Sequence, residues 1–246
     1  MTIRNIDIDK FVDYFESKES FGLQDIKDYF QRFKKDISRT TLDWWIYELK
    51  QRGILYRVGR GLYSFQEPIF FNPSIEKELI KLHGWLVKEF PYLDLCIWHS
   101  KWVNQFMVHQ IGRFYILIEV EKEAVESVFY YLKEREKDVF LNPSSDILYH
   151  YANAKESIIV KPLISEAPIN KQNKIPTASL EKILVDLVSD EIFEAYQGAE
   201  LDNILENAFS LYSINEPKLL RYASRRKRKK YLLTKIEKTK QLIKDQ

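Results

Sequence analysis

The sequence predicts a mixed α+β protein. We expect an N-terminal winged helix-turn-helix, then a small α/β domain with a mixed, partly parallel sheet, and then a helical C-terminal part. Three patterns lead to this prediction. Helical apolar spacing in the first fifty residues is followed by a hairpin pattern, strands alternate with helices over residues 68–166, and helical patterns fill residues 175–246. We therefore divide the chain into domains at 1–67 and 68–246.

Composition limits the class of protein. The chain has 246 residues, 45% of them hydrophobic, which excludes global disorder. No run approaches the ~20 apolar residues that span a bilayer, and the first residues lack the apolar segment of a secretory signal. The single cysteine, Cys96, excludes a disulfide framework and a Cys-rich zinc site. No glycine-rich nucleotide loop occurs. We expect a cytoplasmic protein with no membrane partner and no cofactor.

Charge is unevenly distributed along the chain. Residues 1–67 have a net charge of +1, residues 68–217 of −9, and residues 218–246 of +10. An acidic middle and a basic end indicate parts with different partners.

Three helices and a hairpin are predicted in the first domain. Apolar spacing gives helices over residues 8–17 and 23–33, and Ser38 stands where the N-cap of a third helix belongs. Gly53 closes that helix. Two short β-rich runs then surround Gly59-Arg60-Gly61, which is a hairpin signal. This order of elements is that of a winged helix.

The third helix has two different faces. At about 100° per residue, one side gathers apolar residues and the other gathers Thr40, Asp43, Trp44, Tyr47 and Gln51. A polar and aromatic face is typical of a recognition helix in the major groove. Arg39 at the helix start, with Arg57 and Arg60 on the hairpin, is placed for phosphate or minor-groove contact. The sequence thus predicts that this domain binds double-stranded DNA.

A protein-interaction module is the alternative interpretation of the same face. Trp44 and Tyr47 are residue types that dominate protein interfaces. The negative charge of Asp43 and the small net charge of residues 1–67 both count against binding to DNA phosphates. DNA binding is the preferred hypothesis, and protein interaction stays open.

The second domain combines strands and helices. We expect a helix opened by Asn72-Pro73-Ser74 and strands in the regions 93–98, 114–120, 139–142 and 157–163. Helices are predicted between these strands, and further helices follow at the C-terminal end. Thr177 or Ser179 caps the first of these, and Glu216-Pro217 starts a later one. The helix started by Glu216-Pro217 runs into the basic sequence RRKRKK at 225–230, and a final amphipathic stretch follows over residues 231–243.

The basic sequence has three interpretations. The six residues of this run resemble a nucleic-acid patch: Arg225, Arg226, Lys227, Arg228, Lys229 and Lys230. Basic residues also suit the C-terminal end of a helix and commonly form a solvated face. Docking onto the acidic middle of the chain is the third possibility.

A magnesium-dependent nuclease is a further alternative. Asp94 precedes one strand, and period-two spacing puts Glu119 and Glu121 on one face of another. Three converging carboxylates would bind Mg²⁺ for phosphodiester hydrolysis. The four histidines lack the spacing of a zinc site, and Cys96 is expected to be packed. Because acids at strand ends usually mark only a solvated edge, the nuclease is the less favoured interpretation, and we expect no catalytic residues and no metal ligands.

Several stretches resemble one family. The sequence is similar to the AbiEi-type antitoxins in these stretches: ELKQRGILYRVGRGLYSF (48–65), CIWHSKWVNQFMVHQ (96–110), and IPTASLEKILVDLV (175–188) with LLRYASRRKRKKYL (219–232). The resemblance implies a bacterial DNA-binding antitoxin that represses its own promoter and counters a nucleotidyltransferase toxin encoded nearby, without a stable complex. By this resemblance the DNA contacts are Arg39, Thr40, Thr41, Trp44 and Tyr47, the wing residues Arg57 and Arg60, and the basic residues Arg225, Arg226, Arg228 and Lys229.

Overall fold

The chain forms two compact units. A computed structural model describes residues 7–18, 20–33, 36–59, 61–152 and 155–245. The units comprise Met1–Phe70 and Phe71–Gln246. The sequence predicts a domain boundary after residue 67.

Helices and short strands alternate in the first unit. In chain order it contains α1 (Ile8–Phe15), β1 (Phe21–Gly22), α2 (Leu23–Gln31), α3 (Arg39–Gln51), β2 (Tyr56–Gly59) and β3 (Leu62–Ser64). The strands pair antiparallel in the order β1-β3-β2. The three helices and the hairpin occur where the sequence predicts them. The strand β1 was not predicted, because two residues carry no periodic signal.

Aromatic rings form the core of the first unit. Phe15 stacks on Phe21 with ring centroids 4.1 Å apart, and Phe11 stacks on Phe30 at 5.3 Å. Trp45 of α3 packs against Phe30 at 4.8 Å. These contacts hold the inner side of α3 against α1 and α2, so that its other side faces solvent.

A mixed sheet organises the second unit. Its elements are α4 (Lys77–Glu89), β4 (Leu95–His99), β5 (Phe114–Val120), α5 (Val125–Lys133), β6 (Val139–Leu141), α6 (Ser145–Tyr151) and β7 (Glu156–Pro162). The strand order is β4-β5-β7-β6. The pair β4–β5 is antiparallel, whereas β7 runs parallel to both β5 and β6. The predicted α+β class with a mixed, partly parallel sheet is confirmed.

Two details differ from the sequence prediction. Asn72-Pro73-Ser74 does not open a helix, since α4 begins at Lys77 after the N-cap residue Glu76. An antiparallel pair, β8 (Ile169–Gln172) and β9 (Ile175–Ala178), was not predicted. Its first strand, INKQ, is too polar to give a strand pattern.

Four helices complete the second unit: α7 (Leu180–Ser189), α8 (Ala199–Leu211), α9 (Glu216–Arg225) and α10 (Lys229–Lys244). Ser179 is the N-cap residue of α7, one of the two predicted. A 3₁₀ segment, Glu191–Tyr196, follows α7. The basic end of the chain is part of the packed structure, because Leu232 and Ile236 of α10 are buried. Within the described ranges, no helix has the length and apolar character needed to cross a membrane.

Candidate nucleic-acid interface

Helix α3 is amphipathic, with an apolar side and a polar and aromatic side as the sequence predicts. Its inner side buries Leu42, Trp45, Ile46 and Leu49. Its outer side exposes 40% of Trp44 and 54% of Tyr47, together with Arg39, Thr40 and Asp43. A helix that leaves two large aromatic residues in solvent presents a surface suited to a ligand.

The start of α3 is tied down by a side-chain cap. The amide of Thr41 donates to Ser38 Oγ at 3.1 Å, as the N-cap prediction required. The Thr41 hydroxyl lies 2.8 Å from the same Ser38 oxygen. Thr41 is therefore occupied in the cap and half-buried. Its neighbour Thr40 is more exposed and better placed for contact.

The electrostatics of this helix start are unusual for the protein. Each of the α-helices other than α3 and α10 carries an acidic residue in its first turn, which suits the positive end of the helix dipole. In α3 that turn has no acid and begins with Arg39. Arg39 Nε lies 3.9 Å from Asp43 Oδ2, but both side chains are mostly exposed, so the pair is weak. The start of α3 thus offers positive charge to an anion.

The hairpin supplies one described basic residue. Arg57 lies on β2, opposite Tyr63 of β3, and its side chain is exposed. Arg60, the second predicted wing residue, lies outside the described residues. Gly61 follows with φ of 71°, a conformation that favours glycine in a tight turn.

Two of the four predicted basic residues at the C-terminus are held by acids. Arg225 bonds the Ser165 hydroxyl, and its Nε lies 3.6 Å from Glu166. Arg226 is only 12% exposed and pairs with Asp186 and Asp190. The structure thus places the Arg226 guanidinium beside carboxylates that compensate its charge, which disfavours the predicted contact with DNA.

Arg228 and Lys229 remain exposed. They stand at the junction of α9 and α10, where Lys227 adopts φ of 58° between the two helices. The first turn of α10 contains no acid. These residues form a fixed basic corner on the second unit.

The proposed nuclease carboxylates do not converge. Glu119 is 1% exposed, whereas Asp94 and Glu121 are exposed. Strand β5 ends at Val120, so Glu121 enters a turn and the period-two argument no longer applies to it. Across the part of the chain that the structure describes, no three His, Cys, Asp or Glu side chains are placed to hold a metal ion.

Glu119 belongs instead to a buried charge cluster that the sequence patterns do not predict. Lys182 Nζ lies 2.6 and 2.7 Å from the two Glu119 oxygens and also bonds Asp186. Trp98 Nε1 donates to Glu119 at 2.8 Å, and the Tyr222 hydroxyl donates to Asp186 at 2.9 Å. The available signal was Lys182 and Asp186 four residues apart in the largely apolar sequence of α7.

The cluster shifts the pKa values of its members in different directions. Burial raises the pKa of a carboxyl, but the charges of Lys182 and Lys161 hold the pKa of Glu119 below its ordinary value. Burial prevails at Asp186, whose pKa is raised. Burial lowers the pKa of Lys182, but the charges of Asp186 and Glu119 outweigh it and hold that pKa well above its ordinary value. The cluster has no exposed member to present to a substrate and is structural.

Cys96 and His99 of β4 are also buried. The Cys96 thiol is fully enclosed and its pKa is raised by burial, so the prediction that it is packed is confirmed. The ring nitrogen Nδ1 of His99 accepts from the Lys101 amide at 3.0 Å. Burial lowers the pKa of His99, which favours the neutral ring.

Two cavities lie beside each other in the second unit, with volumes of about 570 and 350 Å³. Glu191 and Ile192 line both. Lys161 and Asp190 line the smaller cavity, but they are paired with each other. The larger cavity is lined by tyrosines and by charged residues that form no ion pair with another described residue.

Residues 41–242 match DUF6577, described as a family of unknown function. The match covers most of the chain, and includes most of α3, the described part of the hairpin and nearly all of the second unit. No curated protein matches the chain.

Proposed function

The chain belongs to the DUF6577 family, and we propose that it binds double-stranded DNA through α3 and the β2–β3 hairpin. The observation that carries the proposal is the outer face of α3, on which Trp44 and Tyr47 are exposed to solvent. The first turn of the same helix begins with Arg39 and contains no acidic residue. The order of elements in the first unit, with a hairpin after the third helix, supports a winged-helix mode of binding.

In this mode α3 enters the major groove. Thr40 and Tyr47 reach base edges, and Asp43 accepts a hydrogen bond from a cytosine amino group. Arg39 at the helix start and Arg57 on the hairpin, with Arg60, bind phosphates on either side. The first unit has a net charge close to zero, so phosphate attraction is local to these residues.

Binding of the full chain to the DNA upstream of its own gene tests the proposal. We expect tighter binding to this DNA than to a scrambled sequence of equal length, and an affinity that falls steeply with salt. Equal, weak binding to both DNAs would contradict the proposal. The α3 face would then be a protein interface, built around Trp44 and Tyr47.

We further propose a specific role for this DNA binding: the chain is an antitoxin that represses its own operon. The similarity of residues 48–65, 96–110, 175–188 and 219–232 to AbiEi-type antitoxins supports it. We expect the chain to restore growth when it is co-expressed with a toxic neighbouring gene product. A variant with Arg39→Ala and Arg57→Ala should lose repression but keep this rescue, because both substitutions lie in the first unit. Absence of rescue by the unaltered chain would contradict the antitoxin role and leave the DNA-binding proposal standing.

A further inference from the structure

The larger cavity has the size and position of a ligand site. Its volume of about 570 Å³ lies within the range of roughly 300–1,000 Å³ that ligand pockets occupy. Three segments meet there: the turn before β5, the first residues of α6, and the 3₁₀ segment that follows α7. All of its lining residues belong to the second unit, and none of them is a residue of the DNA-binding surface proposed above.

Tyrosines line the cavity at three depths. Tyr196 is buried, Tyr115 is half-buried, and Tyr149 stands at the rim with 76% of its surface exposed. The Ser100 hydroxyl lies close enough to influence Tyr196, but the Tyr196 hydroxyl has no partner in hydrogen-bonding geometry among the described residues. Burial raises the pKa of Tyr196 to about 12, so this hydroxyl keeps its proton.

The charged residues of the cavity leave a negative surplus. Asp146, Glu191 and Glu194 contribute three carboxylates, against one guanidinium from Arg113. All four side chains are exposed at the rim. None of them forms an ion pair with another described residue, whereas the two acids of α7 and the acid at its C-cap are each paired with a cation. Unpaired carboxylates around aromatic rings attract a cation.

We propose that this cavity binds the guanidinium or ammonium group of a basic segment of a partner protein. Aromatic faces bind such groups by cation–π attraction, most often with arginine. Carboxylates then accept the hydrogen bonds that a guanidinium donates. The negative surplus disfavours a phosphate, so the site does not serve the DNA that the first unit would bind.

The shape of the site favours a side chain over a whole small molecule. Tyr149, Glu191 and Glu194 are exposed, so the cavity opens to solvent on the side where they stand. A long cationic side chain can reach past them toward Tyr115 while its backbone stays outside. The aliphatic part of that side chain would lie along the tyrosine rings.

A peptide pair tests the chemistry on the full-length chain. The probes are a blocked Gly-Gly-Arg-Gly-Gly peptide and the same peptide with citrulline, a neutral isostere, in place of arginine. Calorimetry should give an affinity for the arginine peptide that is about tenfold higher, with a preference that shrinks as salt rises. Equal affinity for both peptides, or no binding of either, would overturn the proposal. Tighter binding of free spermidine than of the peptide would overturn the assignment to a protein partner.

Charge-changing variants locate the site. Glu191→Gln with Glu194→Gln should weaken binding of the arginine peptide, and Arg113→Gln should strengthen it because it removes the opposing charge. The matched control is Glu123→Gln with Glu126→Gln, two exposed acids outside the cavity, which should leave the affinity unchanged. An equal loss in the control would mean that net charge alone attracts the peptide, and would contradict the site. Circular dichroism of each variant verifies that it is folded.

Discussion

Lys182 of α7 lies within 2.7 Å of both carboxylate oxygens of Glu119 on β5, and both side chains are almost wholly excluded from solvent. The same ammonium bonds Asp186 one turn along α7. Lys182 thus pairs with two buried acids, and its contact with Glu119 joins α7 to the central sheet. A buried ion pair of this kind adds little net stability compared with an apolar pair, but removal of one partner leaves an uncompensated charge.

Replacement of Lys182 is therefore expected to be severe. Lys182→Met should lower the free energy of unfolding by about 3–5 kcal/mol, because Glu119 and Asp186 would lose their shared cation. Urea denaturation measures the change. Lys238→Met is the matched control, since Lys238 is largely exposed and makes only a 3.9 Å ion pair; its effect should stay within about 1 kcal/mol. Similar small losses in both variants would show that the cluster does not hold the second unit together.

Stability should decline in acid through the same cluster. Burial raises the pKa of Asp190, but Lys161 and Arg226 outweigh this effect and lower it below its ordinary value, as happens at Glu119. A carboxyl with a lowered folded-state pKa stabilises the protein above its unfolded-state pKa and loses that contribution as the pH falls below about 4.5. Asp186, with its raised pKa, acts in the opposite sense. Urea denaturation between about pH 6 and pH 3 should show a smaller decline for Asp190→Asn than for the wild type. Parallel pH profiles would contradict this assignment.

The sequence predicts the elements better than their interior chemistry. Strand β5 and helix α3 are readable because FYILIEV is continuously apolar and because Ser38 and Gly53 mark the ends of a periodic segment. The pairing of β7 with both β5 and β6 depends on contacts between distant residues, and the sequence indicates only that part of the sheet is parallel.

The residues of the candidate sites likewise include some that the sequence predicts and others that depend on contacts between distant segments. The outer face of α3 follows from helical periodicity, so Trp44 and Tyr47 were identified as exposed. The burial of Arg226 was not predictable, because the neighbouring arginines and lysines give the same local signal, and only the approach of α7 to α9 brings Asp186 and Asp190 to this one residue. The cavity tyrosines come from three separate segments and share no motif.

The exposed aromatic residues of α3 should determine sequence preference. Trp44→Ala with Tyr47→Ala should reduce binding to the promoter DNA more than binding to scrambled DNA, because base-edge contacts carry specificity. Phe33→Ala is the control, since Phe33 is an exposed aromatic residue of the same unit outside α3. Fluorescence anisotropy on both DNAs gives the comparison. Equal losses on the two DNAs would exclude groove recognition by this face.

Arg57 should act through phosphates. Arg57→Ala should weaken binding to all DNA sequences alike and reduce the slope of log affinity against log salt by about 1. Lys10→Ala removes a positive charge from α1, where the side chain pairs with Asp7, and should leave the slope unchanged. Anisotropy titrations at several salt concentrations measure both variants. An unchanged slope for Arg57→Ala would show that the hairpin does not contact the DNA backbone.

The basic residues at the α9–α10 junction are expected to have two different roles, one in stability and one at the protein surface. Arg226→Ala should lower the melting temperature, because Asp186 and Asp190 would lose a buried partner. Arg228→Ala with Lys229→Ala should leave the melting temperature unchanged, since both side chains are exposed. If this corner of the second unit touches DNA, the double variant should also lower the salt slope by about 2. Thermal denaturation and anisotropy on the same samples distinguish the two effects. A stable double variant with wild-type DNA affinity would confine DNA binding to the first unit, and a stable Arg226→Ala variant would contradict the interior role assigned to that arginine.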